Sequence, residues 1–156
     1  DHAVLACRIV GEDRWCRRCG CQGEARDTVI RRLAHEPCGW RPTIVHVSVG
    51  RCRCPECAHV WRQDMSQAAD PRAKLSRAAV RWALTGVVVH HVTVARVAQA
   101  LGVSWKAANT AVLAEGARLL INDPARFDGV RVIGVDEHVW RHTKGVDLVN
   151  EILAAA

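Results

Sequence analysis

The chain has 156 residues, 49% of them hydrophobic and 24% charged, a composition that excludes a disordered or fibrous protein and fits a folded one. A net charge of +6 and a pI near 9.1 favour an anionic partner such as nucleic acid. No apolar run is long enough to span a bilayer, since Trp82 to Val94 is interrupted by Thr85, Gly86 and the His90-His91 pair.

The charge is unevenly spread. Residues 1–62 carry 11 Lys and Arg against 7 Asp and Glu, residues 63–127 carry 8 against 4, and residues 128–156 carry 3 against 5. Two basic segments followed by an acidic tail suggest two nucleic-acid-facing modules and then something different in kind. No segment has the form of an export signal. The start at Asp1 and the ending Glu151-Ile-Leu-Ala-Ala-Ala read as a fragment of a longer frame.

Ala3 to Val10 is a short apolar run expected to form a strand. Cys16-Arg-Arg-Cys19-Gly20 follows, and 34 residues separate Cys19 from Cys54-Pro-Glu-Cys57. In a zinc ribbon each CxxC pair sits on a tight knuckle that points two thiolates at one ion, and two knuckles complete the tetrahedral sulfur set that zinc prefers. Gly20 and Pro55 suit such turns. The metal ligands expected are therefore Cys16, Cys19, Cys54 and Cys57, holding structural Zn2+ whose binding, roughly 10–16 kcal/mol in comparable peptides, would be folding energy. Cys7, Cys21, Cys38 and Cys52 remain. Eight cysteines also permit disulfides, but a basic chain with no export signal belongs in a reducing cytoplasm. Cys21 and Cys52, each two residues from a pair, keep a shifted ligand set open. His59 reads as a surface residue.

Between the knuckles, Ile44-Val-His-Val-Ser-Val49 alternates in the manner of a strand, Thr28 to Ile30 is a weaker candidate for its partner, and His35 to Pro42 has the Pro and Gly of a turn. Gln63 to Arg72 reads as a linker. Lys74 to Leu84 is an amphipathic helix with Leu75, Ala78, Ala79, Trp82 and Ala83 on one stripe, Trp82 being core.

Thr93 to Val112 reads as two short helices broken at Leu101-Gly102-Val103-Ser104, with Thr93 and Ser104 as caps and Gly102 in a left-handed turn. Such a helix-turn-helix needs the preceding helix to close its core. Its second helix would offer Trp105, Lys106, Asn109 and Thr110 to double-stranded DNA, with Lys reaching guanine, Asn pairing with adenine and Thr reaching base edges or phosphates. Trp105 serves equally well as a core or rim residue. His90 and His91 read as loop or phosphate-facing residues. The second helix is expected to run toward Leu120 and stop at Asn122-Asp-Pro124. Val130 to Asp136 reads as an apolar strand that delivers a carboxylate, followed by Glu137-His-Val-Trp140-Arg141.

The paired CxxC motifs, the strand leading into the second pair, the Gly-Val-Ser-Trp turn and Ile133-Gly-Val-Asp-Glu137 with Trp140-Arg141 occur in an order that resembles the bacterial insertion-sequence transposases of the ISL-three type, from about Cys16 to Lys144. The resemblance implies a zinc-binding domain, a helix-turn-helix that recognises terminal inverted repeats, and a ribonuclease H-like domain with an Asp-Asp-Glu triad. Asp136 then matches the first catalytic carboxylate, which in a complete enzyme works with Mg2+ or Mn2+ in two-metal phosphodiester chemistry. Asp147 and Glu151 lie too close to Asp136 to be the later triad members.

The expected fold is α+β: a β-rich zinc ribbon (1–65), a three-helix helix-turn-helix domain (72–121) and the first strand of a ribonuclease H-like domain (128–156). The expected function is inverted-repeat binding by a truncated transposase that does not transpose alone, in a bacterial cytoplasm, with intact transposase as a further partner and no membrane or small-molecule substrate. The alternative is a small zinc-ribbon regulator or protein-interaction module derived from such an enzyme.

Overall fold

A computed structural model describes residues 2–11 and 14–134. Asp136 and most of the expected catalytic stub, residues 135–156, lie outside the described residues. The fold is α+β, a mixed sheet and three helices. The strands are β1 (Ala3–Arg8), β2 (Glu24–Cys38), β3 (Arg41–Arg53) and β4 (Val60–Arg62). The helices are α1 (Arg77–Val88), α2 (Val94–Leu101) and α3 (Trp105–Gly116), and a π-helical turn over Ala117–Ile121 continues α3. These elements belong to one compact unit, Asp1–Arg126; Phe127–Ala156 form a second, in which residues 130–134 have no regular secondary structure. No helix among the described residues is long and apolar enough to cross a membrane.

Strand β3 is central because it pairs along both edges. One edge takes β2, antiparallel from Glu24 opposite Arg53 to Cys38 opposite Arg41. The other takes β1, parallel at Thr43 to Ser48, and then β4, antiparallel at Arg51 to Arg53. The branched alternation of its sequence suits a pleated strand with one covered face, and Thr43, Val45, Val47 and Val49 are buried while the residues between them are half-buried. Strand β2 is far longer than Thr28 to Ile30 alone suggests. Its charged residues 24–28 are exposed, so its pairing rests on the partner strand rather than on its own hydrophobic pattern. Glu36 and Pro37 fall in a register shift, where Pro37, which has no N–H, is missed by no ladder bond. The hairpin closes through Gly39-Trp40, with Gly39 at φ 63° in the first central position, where a tight two-residue turn calls for glycine.

The buried face of β3 is covered by residues 65–73. Met65, Ala69 and Ala73 pack with Ile9 on Leu33, Val45, Val47 and Val49, so this stretch is a lid on the sheet and not a free linker. Arg31 fastens it, donating to the carbonyls of Asp70 and Ala73, both at 2.9 Å. Two backbone bonds then join the sheet edge to the start of the helices, Ala34 N–H to the Lys74 carbonyl and Ser76 N–H to the Ala34 carbonyl, each 2.9 Å. The Ser76 hydroxyl, buried, caps α1 by accepting from the Ala79 N–H and lies 2.7 Å from His35 Nδ1. One side chain thus satisfies a helix end and ties it to β2.

The three helices close around Leu75, Ala79, Ala83, Leu84, Val97, Ala98, Leu101, Ala108 and Val112, with Trp82 partly buried against them. Thr93 and Ser104 cap α2 and α3 by accepting from the Arg96 and Ala107 N–H groups. Gly102, at φ 64°, ends α2 in the left-handed conformation and also lies close to the sheet: a Cβ on it would come 2.9 Å from His2 Nε2 and 3.2 Å from Pro42 Cβ. The turn between α2 and α3 therefore abuts the hairpin end of the sheet.

Candidate functional site

The sulfur atoms of Cys16, Cys19, Cys54 and Cys57 all lie within 4.8 Å of one another, a group that can hold a metal ion. Cys16 Sγ is 3.6 Å from Cys57 Sγ, and Cys19 Sγ is 3.4 Å from Cys54 Sγ. Cys21 and Cys52, the alternative ligands, are not in the group; the Cys21 thiol lies 3.9 Å from the Cys19 carbonyl and Cys52 is buried within β3.

Two loops of matching form bring these sulfurs together. In the first, the Gly20 N–H returns to the Cys16 carbonyl at 2.8 Å, and the Cys16 N–H donates to the Cys21 carbonyl at 2.9 Å. In the second, the Ala58 N–H returns to the Cys54 carbonyl at 3.1 Å, and the Cys54 N–H donates to the His59 carbonyl at 2.8 Å. The first cysteine of each pair is buried and the second exposed. The residue after each pair takes a left-handed conformation, Gly20 at φ 74° and Ala58 at φ 56°. Glycine does this freely, whereas alanine at that position costs roughly 1–2 kcal/mol.

Sequence reasoning missed the packing that steadies the loops. The Trp61 ring lies so close over Gly23 that a Cβ there would sit 2.2 Å from it, which only glycine avoids. His59 is half-buried rather than a bare surface residue, its ring stacked on Trp61 at 5.9 Å. A Gly two residues beyond one cysteine and a Trp four beyond another carry no local signal of contact, because the antiparallel ladder decides it.

The thiols perturb one another. Burial pushes Cys16 up, but hydrogen bonds from the Arg18 and Cys19 backbone and from the Cys57 and Cys19 thiols outweigh it and bring it from 9.0 down to about 7. The Cys21 backbone favours a Cys19 thiolate, yet the Cys54 thiol, burial and the remaining thiols drive Cys19 far above the ordinary range. At Cys57 a backbone hydrogen bond at His59 is likewise overcome by burial and by Cys16, and the thiol is raised. One sulfur is drawn toward ionisation while its neighbours resist, because burial and shared thiol hydrogen bonds favour their protonated forms.

On α3, Trp105 is 55% exposed, Lys106 and Thr110 are exposed, and Asn109 is half-buried. Ala108 and Val112 face the core. At 100° per residue, Lys106, Asn109, Thr110 and the exposed Leu113 occupy one outward stripe of about 100°, with Trp105 at its edge. Lys106 and Thr110 also line a groove of about 540 Å³ between α3 and the Asp70–Leu75 segment. His90 and His91 are exposed between α1 and α2.

No family model, curated protein or solved structure matches this chain.

Replacing Ala58 by Gly should stabilise the chain, by about 0.5–1 kcal/mol after the added freedom of the unfolded chain is subtracted, as measured by urea unfolding; a loss of stability would mean that Ala58 carries no strain. The thiols set a second expectation. In chelator-treated protein, stability should rise from pH 7 to 9, where Cys16 is ionised in the folded chain but protonated in the unfolded one. It should fall above pH 9, where Cys19 and Cys57 keep protons that the unfolded chain releases. With a metal bound to the four thiolates, stability should instead fall steadily on acidification, as protons compete with the ion. Thermal melts with and without chelator test this, and identical pH profiles would contradict it.

Proposed function

We propose that this chain is the DNA-binding N-terminal portion of an insertion-sequence transposase of the ISL-three type, which recognises the terminal inverted repeats of a mobile element. The observation that carries this reading is the capped pair α2 and α3, joined at left-handed Gly102, with Lys106, Asn109 and Thr110 on the face of α3 turned away from the core. Such a helix pair is the form in which a recognition helix enters the major groove. Charge supports the same partner, because residues 89–114 contain Arg96, Lys106 and two histidines but no carboxylate.

The four cysteines act as a structural zinc site in a ribbon-like module. A zinc–sulfur distance of about 2.3 Å in a tetrahedron corresponds to sulfurs about 3.8 Å apart. Separations of 3.4–3.6 Å between neighbouring sulfurs, and none above 4.8 Å, support that fit. Soft thiolates also favour zinc over magnesium or calcium. Asp136 is the first carboxylate of a ribonuclease H-like catalytic domain that uses Mg2+ or Mn2+ when complete, and the chain works in the bacterial cytoplasm. A second reading, a protein-interaction module that binds intact transposase, draws on the groove beside α3, whose lining mixes alanines with Asp70, Lys74, Glu115 and Arg118.

DNA binding is tested by selecting duplexes from a randomised pool with the full chain and measuring affinity against salt. Specific binding that weakens steeply with salt, and falls by about tenfold in Lys106→Ala, is expected. Equal affinity for selected and random duplexes would sink the recognition claim, and capture of transposase with no DNA binding would favour the second reading. For the metal, native mass spectrometry should find one zinc ion per chain, lost in Cys16→Ser and in Cys54→Ser; retention in either variant would refute the ligand set.

A further inference from the structure

We propose that the tip of the β2–β3 hairpin is a second DNA contact, which grips the duplex beside the base pairs read by α3; this inference rests on the DNA-binding reading above. Trp40, in the two-residue turn, is fully exposed at 101%. Arg41 follows it, exposed, and its guanidinium has no carboxylate partner among the described residues. A whole indole held in water on a hairpin anchored by β3 contributes nothing to the core, and Trp and Arg are among the residues enriched where surfaces bind.

Position selects the partner. Pro42, two residues from Trp40, and His2 both abut Gly102, which lies three residues before Trp105. A chain reaches at most about 3.6 Å per residue, so Trp40 is within about 7 Å of Pro42, and Trp105 within about 11 Å of Gly102. Trp40 and the N-terminus of α3 are therefore separated by no more than about 25 Å, less than one turn of B-DNA at about 34 Å. In the proposed complex the duplex on α3 runs past the hairpin. Residues 38–42 carry one cation and no carboxylate, which suits a phosphate backbone. Arg41 takes a phosphate flanking the site, and the Trp40 indole lies against the sugars of the adjacent minor groove, where apolar side chains are used as wedges.

The test uses the full chain and a fluorescently labelled duplex of about 30 base pairs chosen by the wild-type chain from a randomised pool. Trp40→Ala combined with Arg41→Ala should weaken binding by about tenfold, lower the salt slope by about one phosphate contact, and erase hydroxyl-radical protection on one flank only. Trp40→Phe should restore most of the flank protection, and melting temperatures should match wild type because neither side chain is packed. Lys106→Ala should instead weaken protection at the centre of the site. If Lys106→Ala weakens binding while the hairpin variants stay within about twofold of wild type with an unchanged footprint, the hairpin inference alone fails. If the wild-type chain binds no duplex, the DNA-binding reading fails and takes this inference with it.

Discussion

Strand β3 has to be covered on one face, and most of the structure follows from how that is done. Thr43, Val45, Val47 and Val49 point to one side, and β1 and β2 can add only edges, never a lid. Residues 65–73 supply the cover, held by Arg31, and their path delivers Ser76 to the edge of β2 as the cap of α1. Burying one strand face therefore also fixes where the helices begin. The same strand runs from the hairpin end, where Pro42 meets Gly102, to the cysteine loops, where β4 turns back along its edge.

The cysteine loops are under a different constraint, four thiols packed within 4.8 Å of one another. Backbone N–H groups draw Cys16 toward ionisation, while Cys19 and Cys57 are pushed the other way by their neighbours. A metal ion held there would remove that conflict, since each thiolate would then face positive charge, and two matched loops bring four sulfurs together at once. Ala58, left-handed where the first loop has Gly20, marks the second loop as the more strained of the two. Trp61 over Gly23 joins the loops to the sheet and keeps them in register.

For the proposed DNA contact, the sheet does more than carry the four-cysteine loops. By abutting the turn between α2 and α3, the hairpin end places Trp40, two residues from Pro42, within about 25 Å of the start of α3. In the proposed complex, that support lowers the ordering cost of binding.

Much of the local structure was legible in the sequence. The alternation at Ile44 to Val49, the two CxxC pairs, and Thr93, Gly102 and Ser104 as cap, turn and cap are signals spanning a few residues, and short-range physics determines them. Other features depend on partners far along the chain. Strand β2 reaches 15 residues, through a charged stretch with no strand pattern, because β3 offers a ladder for all of it. Gln63 to Arg72 has the composition of a linker, and only its packing on the valine face of β3 turns it into a lid. The choice of Cys16, Cys19, Cys54 and Cys57 over Cys21 and Cys52 was likewise settled in space, where pleat and loop direction decide which sulfurs converge. Sequence alone determined the pieces with short periods and tight turns; tertiary structure decided their contacts, since pairing and burial are paid by residues that the chain keeps far apart until it folds.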